Sequence, residues 1–484
     1  MGVLVVIHRY LGVAVGLLMT LWCLTGFVMM YQSFPELTPA ERVAGLQPLD
    51  LAGCCALGAV PFEPDDGVAG FRIEMLAGKP VLRLTPQDGP SMILDLRAGA
   101  AIEPLSKDQV LAVAQAYGAG HAIGGAPRLL APTVRDQWTV QYARRDQPIH
   151  HLAFGDAAGS EIYVAGKTGE VIEDTNGRER LLGYVGAVPH WLYPTLLREN
   201  GKLWSKVVIW TSVVGTFLTL TGLYVGISRW LSAPNGRASP FRGLWMWHHM
   251  IGLIFGVLTL TWVASGLLSM NPWGLLEGQG SPAPDQYHGR MTWGAVKSFV
   301  AAAPELADGR AVLVDSAPVG GWLFARVLDK SGSVLRVDAG ARPAPLAGAE
   351  VMAALARLQT PPRSFAELRR EDSYYYAHHG RVSLPVYRAI LGDAAATRLY
   401  IDAEGGQVLR VVGTDERQWR WLQSGLHDLD LPGIRQRPVW DAVVLFLLAG
   451  VTALCATGFW LSLRRIRRDV TGVAARREKA KPTL

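Results

Sequence analysis

The stretch His8-Arg-Tyr-Leu-Gly12-Val-Ala-Val-Gly16, with Trp22, Thr25 and Gly26 after it, returns as His248-His-Met-Ile-Gly252-Leu-Ile-Phe-Gly256, with Trp262, Ser265 and Gly266 after it. Six positions agree at a single offset of 240 residues, Thr against Ser being the only inexact pair. Both copies lie in apolar runs of the length a hydrocarbon core demands, about 20 residues. Two further runs, near 207–230 and 442–463, meet the same condition. Half of the 484 residues are hydrophobic and only 18% are charged, a balance that argues against a single soluble domain.

The likeness extends beyond the spans. Gly99, Pro104, Leu105 and Val110 match Gly340, Pro345, Leu346 and Val351 at 241 residues. Pro148, Gly155, Asp156, Tyr163, Gly169, Val171 and His190 match Pro385, Gly392, Asp393, Tyr400, Gly406, Val408 and His427 at 237. Trp204, Thr221-Gly222 and Arg229 match Trp440, Thr457-Gly458 and Arg465 at 236. A nearly constant offset over so long a stretch points to an internal duplication, span–outer domain–span, with parallel repeats. The expected fold is an integral membrane α-helical protein with four transmembrane helices and two α+β domains outside the bilayer. The expected boundaries are spans at 1–32, 204–232, 244–270 and 438–466, outer domains at 33–203 and 271–437, a short loop at 233–243 and a basic tail at 467–484. Within the outer domains, Glu161 to Ile172 and Arg398 to Leu409 read as strand, glycine turn, strand. Lys107 to Tyr117 and Gly348 to Leu358 read as helices.

Basic residues close to spans mark the cytoplasmic side. Arg229, Arg237 and Arg242 flank or occupy the short loop, and Arg464, Arg465, Arg467, Arg468, Arg476, Arg477, Lys479 and Lys481 follow the last span against only Asp469 and Glu478. Both termini are therefore expected in the cytoplasm and both large loops in the periplasm of a bacterial inner membrane. The net charge of +6 then reflects topology, and no nucleic-acid partner is expected. The first apolar run is longer than a signal-peptide core and no A-x-A site follows it promptly, so it is expected to remain as an anchor. Cys23 and Cys455 lie in spans; Cys54 and Cys55 are adjacent, which suits neither zinc nor an easy disulfide. No C-x-x-C-H is present, which excludes the usual covalent haem attachment.

Of eleven histidines, His8 with His248 and His190 with His427 come in repeat-matched pairs at span ends. Ionisable groups inside a membrane are costly and usually functional. His8 and His248 enter from one side at similar depth, each with glycine at i+4 and i+8: Gly12 and Gly16, Gly252 and Gly256. Residues four apart share a helical face, so a glycine track below a histidine offers a flat channel for a porphyrin. Haem iron takes imidazoles on opposite faces, and two facing helices supply both. For one helix alone a packing seam is the favoured explanation; two copies at one depth favour a ligand pair. His249 points about 100° away on the helix, and a hydrogen bond to a haem propionate is its expected role. His190 and His427 each precede a span-opening tryptophan by 13 or 14 residues, which places a second haem toward the outer face. His378 and His379 follow three tyrosines, but the other repeat has no matching pair, and a surface or hydrogen-bonding role is expected. The same bland role is expected for His121, His150, His151 and His288.

The residues His8-Arg-Tyr-Leu-Gly, the hairpin Val164-x-x-Lys-Thr-Gly-Glu-Val, the run Trp419-Arg-Trp-Leu-x-x-x-Leu-His427 and Thr457-Gly458 together resemble the PepSY-associated transmembrane helix family. The resemblance covers almost the whole chain. It implies four spans, two PepSY-like periplasmic domains and, as in the ferrisiderophore reductases among its members, two b-type haems. The expectation is therefore a di-haem b oxidoreductase that passes electrons to a periplasmic ferric siderophore or other ferric chelate. Its iron ligands are expected to be His8, His248, His190 and His427. No Rossmann glycine fingerprint stands in a strand–helix context, so the electron donor, cytoplasmic or quinol, is expected to be separate. The lipid bilayer is the remaining partner, and homo-oligomerisation is compatible with the pattern. Two other readings compete: a non-enzymatic scaffold whose outer domains restrain a periplasmic partner such as a protease, and a metal transporter. The first leaves the four paired histidines unexplained. The second finds almost no Asp or Glu in the spans to line a cation path.

Overall fold

In hydrocarbon every backbone amide must find its partner within the chain, at a cost of several kcal/mol for each that does not, so long apolar runs without proline become helices. The spans do so: the first over Gly2–Met29, the second over Gly201–Leu231, the third over Leu244–Leu268, and the fourth within a helix that runs Val439–Lys479. All four are long and apolar enough to cross a membrane. The structure is a computed structural model and describes residues 2–55, 57–58, 60–130, 135–142, 147–234, 237–278, 280–306 and 308–479. Most of the segment expected as a basic tail thus continues the fourth helix; Lys481 lies outside the described residues. Leu17, Phe217, Ile254 and Phe446 are exposed on the helix surfaces, as a lipid-facing exterior requires.

The first span packs on the second and fourth, and the third also packs on the second and fourth, which closes a ring of helices. Between the first, third and fourth lies an apolar cluster of Cys23, Phe27, Trp262, Trp440, Val444, Leu448 and Val451. Here the two span cysteines meet, with Cys23 Sγ 3.8 Å from Cys455 Sγ. The approach to the second span is irregular, as Pro194 and Gly201 suggest: short helices at Ala187–His190 and Thr195–Arg198, then the long helix capped by the Asn200 side chain on the Leu203 amide. The approach to the fourth span contains a π-helical turn, Arg420–Gly425, and His427 stands two residues beyond it.

Residues 35–180 and 278–416 make a second compact unit. Its strands are β1 (Gly67–Leu76), β2 (Lys79–Pro86), β3 (Met92–Asp95), β4 (Ala100–Ala101), β5 (Arg128–Leu129), β6 (Ile149–Ala153), β7 (Glu161–Ala165), β8 (Val171–Thr175), β9 (Met291–Thr292), β10 (Ala311–Ser316), β11 (Phe324–Asp329), β12 (Val334–Asp338), β13 (Pro362–Leu368), β14 (Val386–Leu391), β15 (Arg398–Asp402) and β16 (Val408–Val412). One sheet has the order β12-β11-β10-β1-β2-β3-β4, with β9 also on β1. It therefore draws strands from both outer segments, joined by the antiparallel pairing of Arg72 with Asp315 and Ile73 with Val314. The other two sheets, β5-β6-β7-β8 and β13-β14-β15-β16, are antiparallel and run in chain order.

The expected hairpins are β7–β8 and β15–β16, turning at Gly169 (φ +69) and Gly406 (φ +80), a conformation that glycine adopts without penalty. The expected helices are Lys107–Gly120 and Gly348–Leu355, burying Val110 and Val113, and Val351 and Leu355. One expectation fails: Cys54 and Cys55 are joined in a disulfide. A cis peptide between them brings their Cα atoms to 3.2 Å, where a trans bond would hold them about 3.8 Å apart.

Candidate functional site

The four paired histidines converge as two couples within the helical unit. The His8 and His248 ring centres are 6.4 Å apart, and those of His190 and His427 are 6.3 Å apart. Along the first span, His8 and the Trp22–Thr25 segment that receives His190 are separated by 14 to 17 residues. At 1.5 Å per residue the two couples are about 20–25 Å apart along the helix.

Each ring is aimed by one nitrogen. His8 Nδ1 lies 3.1 Å from the Leu218 carbonyl and 3.4 Å from Thr221 Oγ1. His248 Nδ1 lies 3.2 Å from Thr457 Oγ1. His190 Nδ1 is 3.0 Å from Thr25 Oγ1 and 3.1 Å from the Trp22 carbonyl; His427 Nδ1 is 3.1 Å from both Ser265 Oγ and the Trp262 carbonyl. Each of these hydroxyls also has backbone carbonyls within reach. Thr221 donates its proton to Phe217 and Leu218, Thr457 to Ala453 and Leu454, Thr25 to Leu21 and Trp22, and Ser265 to Trp262. A carbonyl oxygen only accepts, so Nδ1 of His8, His190 and His427 carries the hydrogen, and the same tautomer follows at His248 where Thr457 keeps its proton on a backbone carbonyl. Nε2 of all four then presents a bare lone pair, and it takes no protein partner among the described residues. This is the form in which histidine binds metal, held by an outer hydrogen bond that fixes ring orientation.

The glycine after the hydroxyl makes room for the ring at His8 and His248. A Cβ on Gly222 would stand 2.6 Å from His8 Cε1, and one on Gly458 would stand 2.9 Å from His248 Cε1. At Gly266 the distance to His427 Cε1 is 3.4 Å; Gly26 instead faces Leu448. The sequence displayed these Thr-Gly and Ser-Gly dipeptides among its matched positions, yet their role was not legible there. The second span aims the histidine of the first, and the first span aims the histidine that precedes the second. The third and fourth spans repeat this arrangement.

The other singled-out residues fall as follows. Gly12 and Gly16 face Ser462 and Phe459 of the fourth helix, Gly252 faces Leu454, and Gly256 faces Leu223, where a Cβ would come within 2.7 Å. These four glycines set how closely the spans approach. His249 is buried with both nitrogens engaged, Nδ1 at 2.9 Å from Ser239 Oγ and Nε2 at 2.9 Å from the Gly226 carbonyl, so it ties the third span to the second. A propionate bond to His249 would have to displace one of these. In the outer unit, His121 stacks on Tyr117, His151 bonds Glu161 at 2.8 Å, and His288 Nδ1 is 2.7 Å from the Pro318 carbonyl. Burial and nearby Lys107 lower the pKa of His150. The His378 and His379 rings lie against each other, 3.8 Å apart.

If the outer hydrogen bonds aim metal ligands, replacing a hydroxyl by a methyl at the same volume should loosen the site without emptying it. Thr457→Val is expected to weaken cofactor retention at the His8/His248 couple by about tenfold, the low end for such outer-shell changes. Detergent-solubilised protein titrated with apomyoglobin measures it; retention equal to the wild type would show that the hydroxyl is incidental.

Four membrane-crossing helices carrying separate antiparallel sheets define a membrane protein with soluble α+β domains. The chain belongs to the family described as the PepSY-associated TM region, whose model matches residues 5–465. No curated protein matches the chain.

Proposed function

We propose that the protein is an inner-membrane di-haem b oxidoreductase that delivers electrons to a periplasmic ferric chelate. In this reading the chain is a duplicated half, its termini are cytoplasmic and its outer domains are periplasmic. The observation that carries the proposal is the pair of ring separations. With about 2.0 Å for a metal–imidazole bond and about 1.1 Å from nitrogen to ring centre, imidazoles on opposite sides of one metal place their centres about 6.2 Å apart. The distances of 6.4 and 6.3 Å fit that requirement at both couples.

Each couple offers two histidine nitrogens, and a porphyrin would supply the remaining donors to a metal held there by His8 and His248 or by His190 and His427. Two buried indole N–H groups, Trp22 Nε1 and Trp262 Nε1, have no hydrogen-bond partner among the described residues. Such donors are costly in hydrocarbon unless a bound polar group meets them.

Haem, if bound, would be held by His8 with His248 and by His190 with His427, and would supply one-electron carriage. The chain's own contribution is positional. Thr221, Thr457, Thr25 and Ser265 keep the protons on Nδ1, the spans exclude water, and the couples stand at separate depths. On the periplasmic side, reduction of ferric iron weakens its hold on a hard, oxygen-rich chelator, and the metal is released.

Pyridine haemochrome analysis of purified protein is expected to give two haems b per chain, with reduced spectra of the low-spin type. A ratio near one, together with an unchanged spectrum in the His190→Ala/His427→Ala double variant, would remove the second site from the proposal.

A further inference from the structure

The two chain-order sheets of the outer unit share a fold but not a charge. In β6-β7-β8 the residues His151, Tyr163 and Glu173 lie side by side across the strands, with Glu161 two positions before Tyr163. In β14-β15-β16 the corresponding row is Arg388, Tyr400 and Arg410, with Arg398 two positions before Tyr400. All four correspondences hold at the offset of 237 residues. The tyrosines keep one structural job: Tyr163 donates to Asp136 and Tyr400 donates to Asp372. Around them the first sheet has one histidine and two glutamates, and the second has three arginines. A sheet of this kind plainly folds without the arginines.

Alternating residues on a strand share a face, so Arg388, Arg398, Arg410 and Tyr400 lie together. The opposite face, with Ala389, Leu399 and Ile401, packs on the core beside Val351 and Leu355. Tyr374 and Tyr376 lie over the arginine face, with the Arg398 guanidinium 4.6 Å from the Tyr374 ring centre and that of Arg410 5.9 Å from Tyr376. Part of the charge is spent on structure. Arg388 pairs with Asp372 at 3.0 Å, and Arg410 donates to the Tyr374 carbonyl at 2.8 Å. Burial opposes ionisation of Asp372, but the Tyr374 and Tyr375 amides, the Tyr400 hydroxyl and Arg388 hold its carboxyl below the usual range. Arg398 differs: among the described residues it forms no ion pair, and its buried Nη1 has no hydrogen-bond partner. No carboxylate among the described residues neutralises its charge, which stands over the Tyr374 ring and adds to that of exposed Arg410.

We propose that the arginine–tyrosine face of β14-β15-β16 binds the ferric chelate, selecting an anionic aromatic chelate of the tris-catecholate type over a neutral one. This rests on the reading of the protein as a ferric-chelate reductase. Three doubly deprotonated catechols around ferric iron leave a net charge of three minus on a shell of aromatic rings. Three hydroxamates leave none. Guanidinium forks suit the catecholate oxygens, and the half-buried Tyr374 and Tyr376 rings suit the catechol planes, while Tyr400 is sealed under Tyr375. The first outer sheet has no arginine at the matching positions: Glu173 is buried, where desolvation pushes its pKa up to about 9, and Glu161 is paired with Arg180.

Calorimetry on the full-length protein in nanodiscs tests this with two probes: the ferric complex of a hexadentate tris-catecholate and that of a hexadentate tris-hydroxamate. The anionic complex should bind at least about tenfold more tightly, with an affinity that falls as salt is added, while the neutral complex is indifferent to salt. Arg398→Gln/Arg410→Gln should abolish most of that preference, whereas Arg398→Lys/Arg410→Lys should keep much of it, which separates lost charge from lost folding. Equal affinity for both complexes, absence of binding, or a Gln variant that binds like the wild type overturns the proposal. No electron transfer is needed for binding, so the haem reading is judged separately on the same sample by its absorbance. Red protein without the preference sinks the arginine face alone. Colourless protein that keeps the preference sinks the haem reading and supports the face.

Discussion

His248→Ala is expected to remove about half of the b-haem absorbance, one site of two, while His249→Ala keeps most of it. The two residues are neighbours on one helix, yet their surroundings differ completely. His248 faces His8 with Nδ1 held by Thr457 and Nε2 bare. His249 spends Nδ1 on Ser239 and Nε2 on the Gly226 carbonyl, so no lone pair is left for a metal. Its loss should appear as reduced stability, by about 1–3 kcal/mol for the carbonyl left unmet in a buried setting. Haem per protein, read from the haemochrome against amino-acid analysis, separates the two outcomes. A His249→Ala protein that loses half its haem while His248→Ala retains it would reverse the assignment.

A second large effect is expected at the His190/His427 couple. With both replaced by alanine, the His8/His248 couple should still give a haem signal reducible from the cytoplasmic side, but reduction of ferric chelate supplied outside should fall to background. The couples stand about 20–25 Å apart along the helices, by the 1.5 Å rise per residue, so losing one removes a stage that the remaining one cannot span. Inside-out vesicles and proteoliposomes of known orientation allow the b-haem band and ferrous iron to be followed separately. Wild-type rates of external chelate reduction in this variant would mean that His190 and His427 serve structure or a different metal.

Much of this was legible in the sequence because membranes and duplications leave long-range signals. Four apolar runs without proline could only be helices, and the 240-residue offset singled out His8 with His248 before any contact was known. The hairpins around Gly169 and Gly406 could be read from alternation and a turn glycine. Other features depend on which elements pack together, and single-chain periodicity does not report that. The hydroxyl–glycine pairs were visible as matches, but Thr221 and His8 are 213 residues apart, and only the contact of the first and second spans joins them. The union of β1 with β10 is hidden for the same reason: a strand edge carries no record of its partner's identity. The Cys54–Cys55 bond goes with a cis peptide, which no residue type there announces. His249 shows the reverse case, a histidine whose surroundings account for both nitrogens.

The aiming of the rings has an evolutionary corollary. Every hydroxyl that orients a histidine sits in the same half of the chain as that histidine, while every couple draws one ring from each half. Orientation is thus a private property of a half, and only the opposing ligand has to be borrowed. An ancestor of half this length would have carried fully oriented but singly liganded sites, and two copies side by side about a twofold axis would have completed both. If the proposed duplication arose by fusion of such copies, it would have required no new ligand, and the two outer segments would then have been free to diverge, glutamates standing in one sheet where arginines stand in the other.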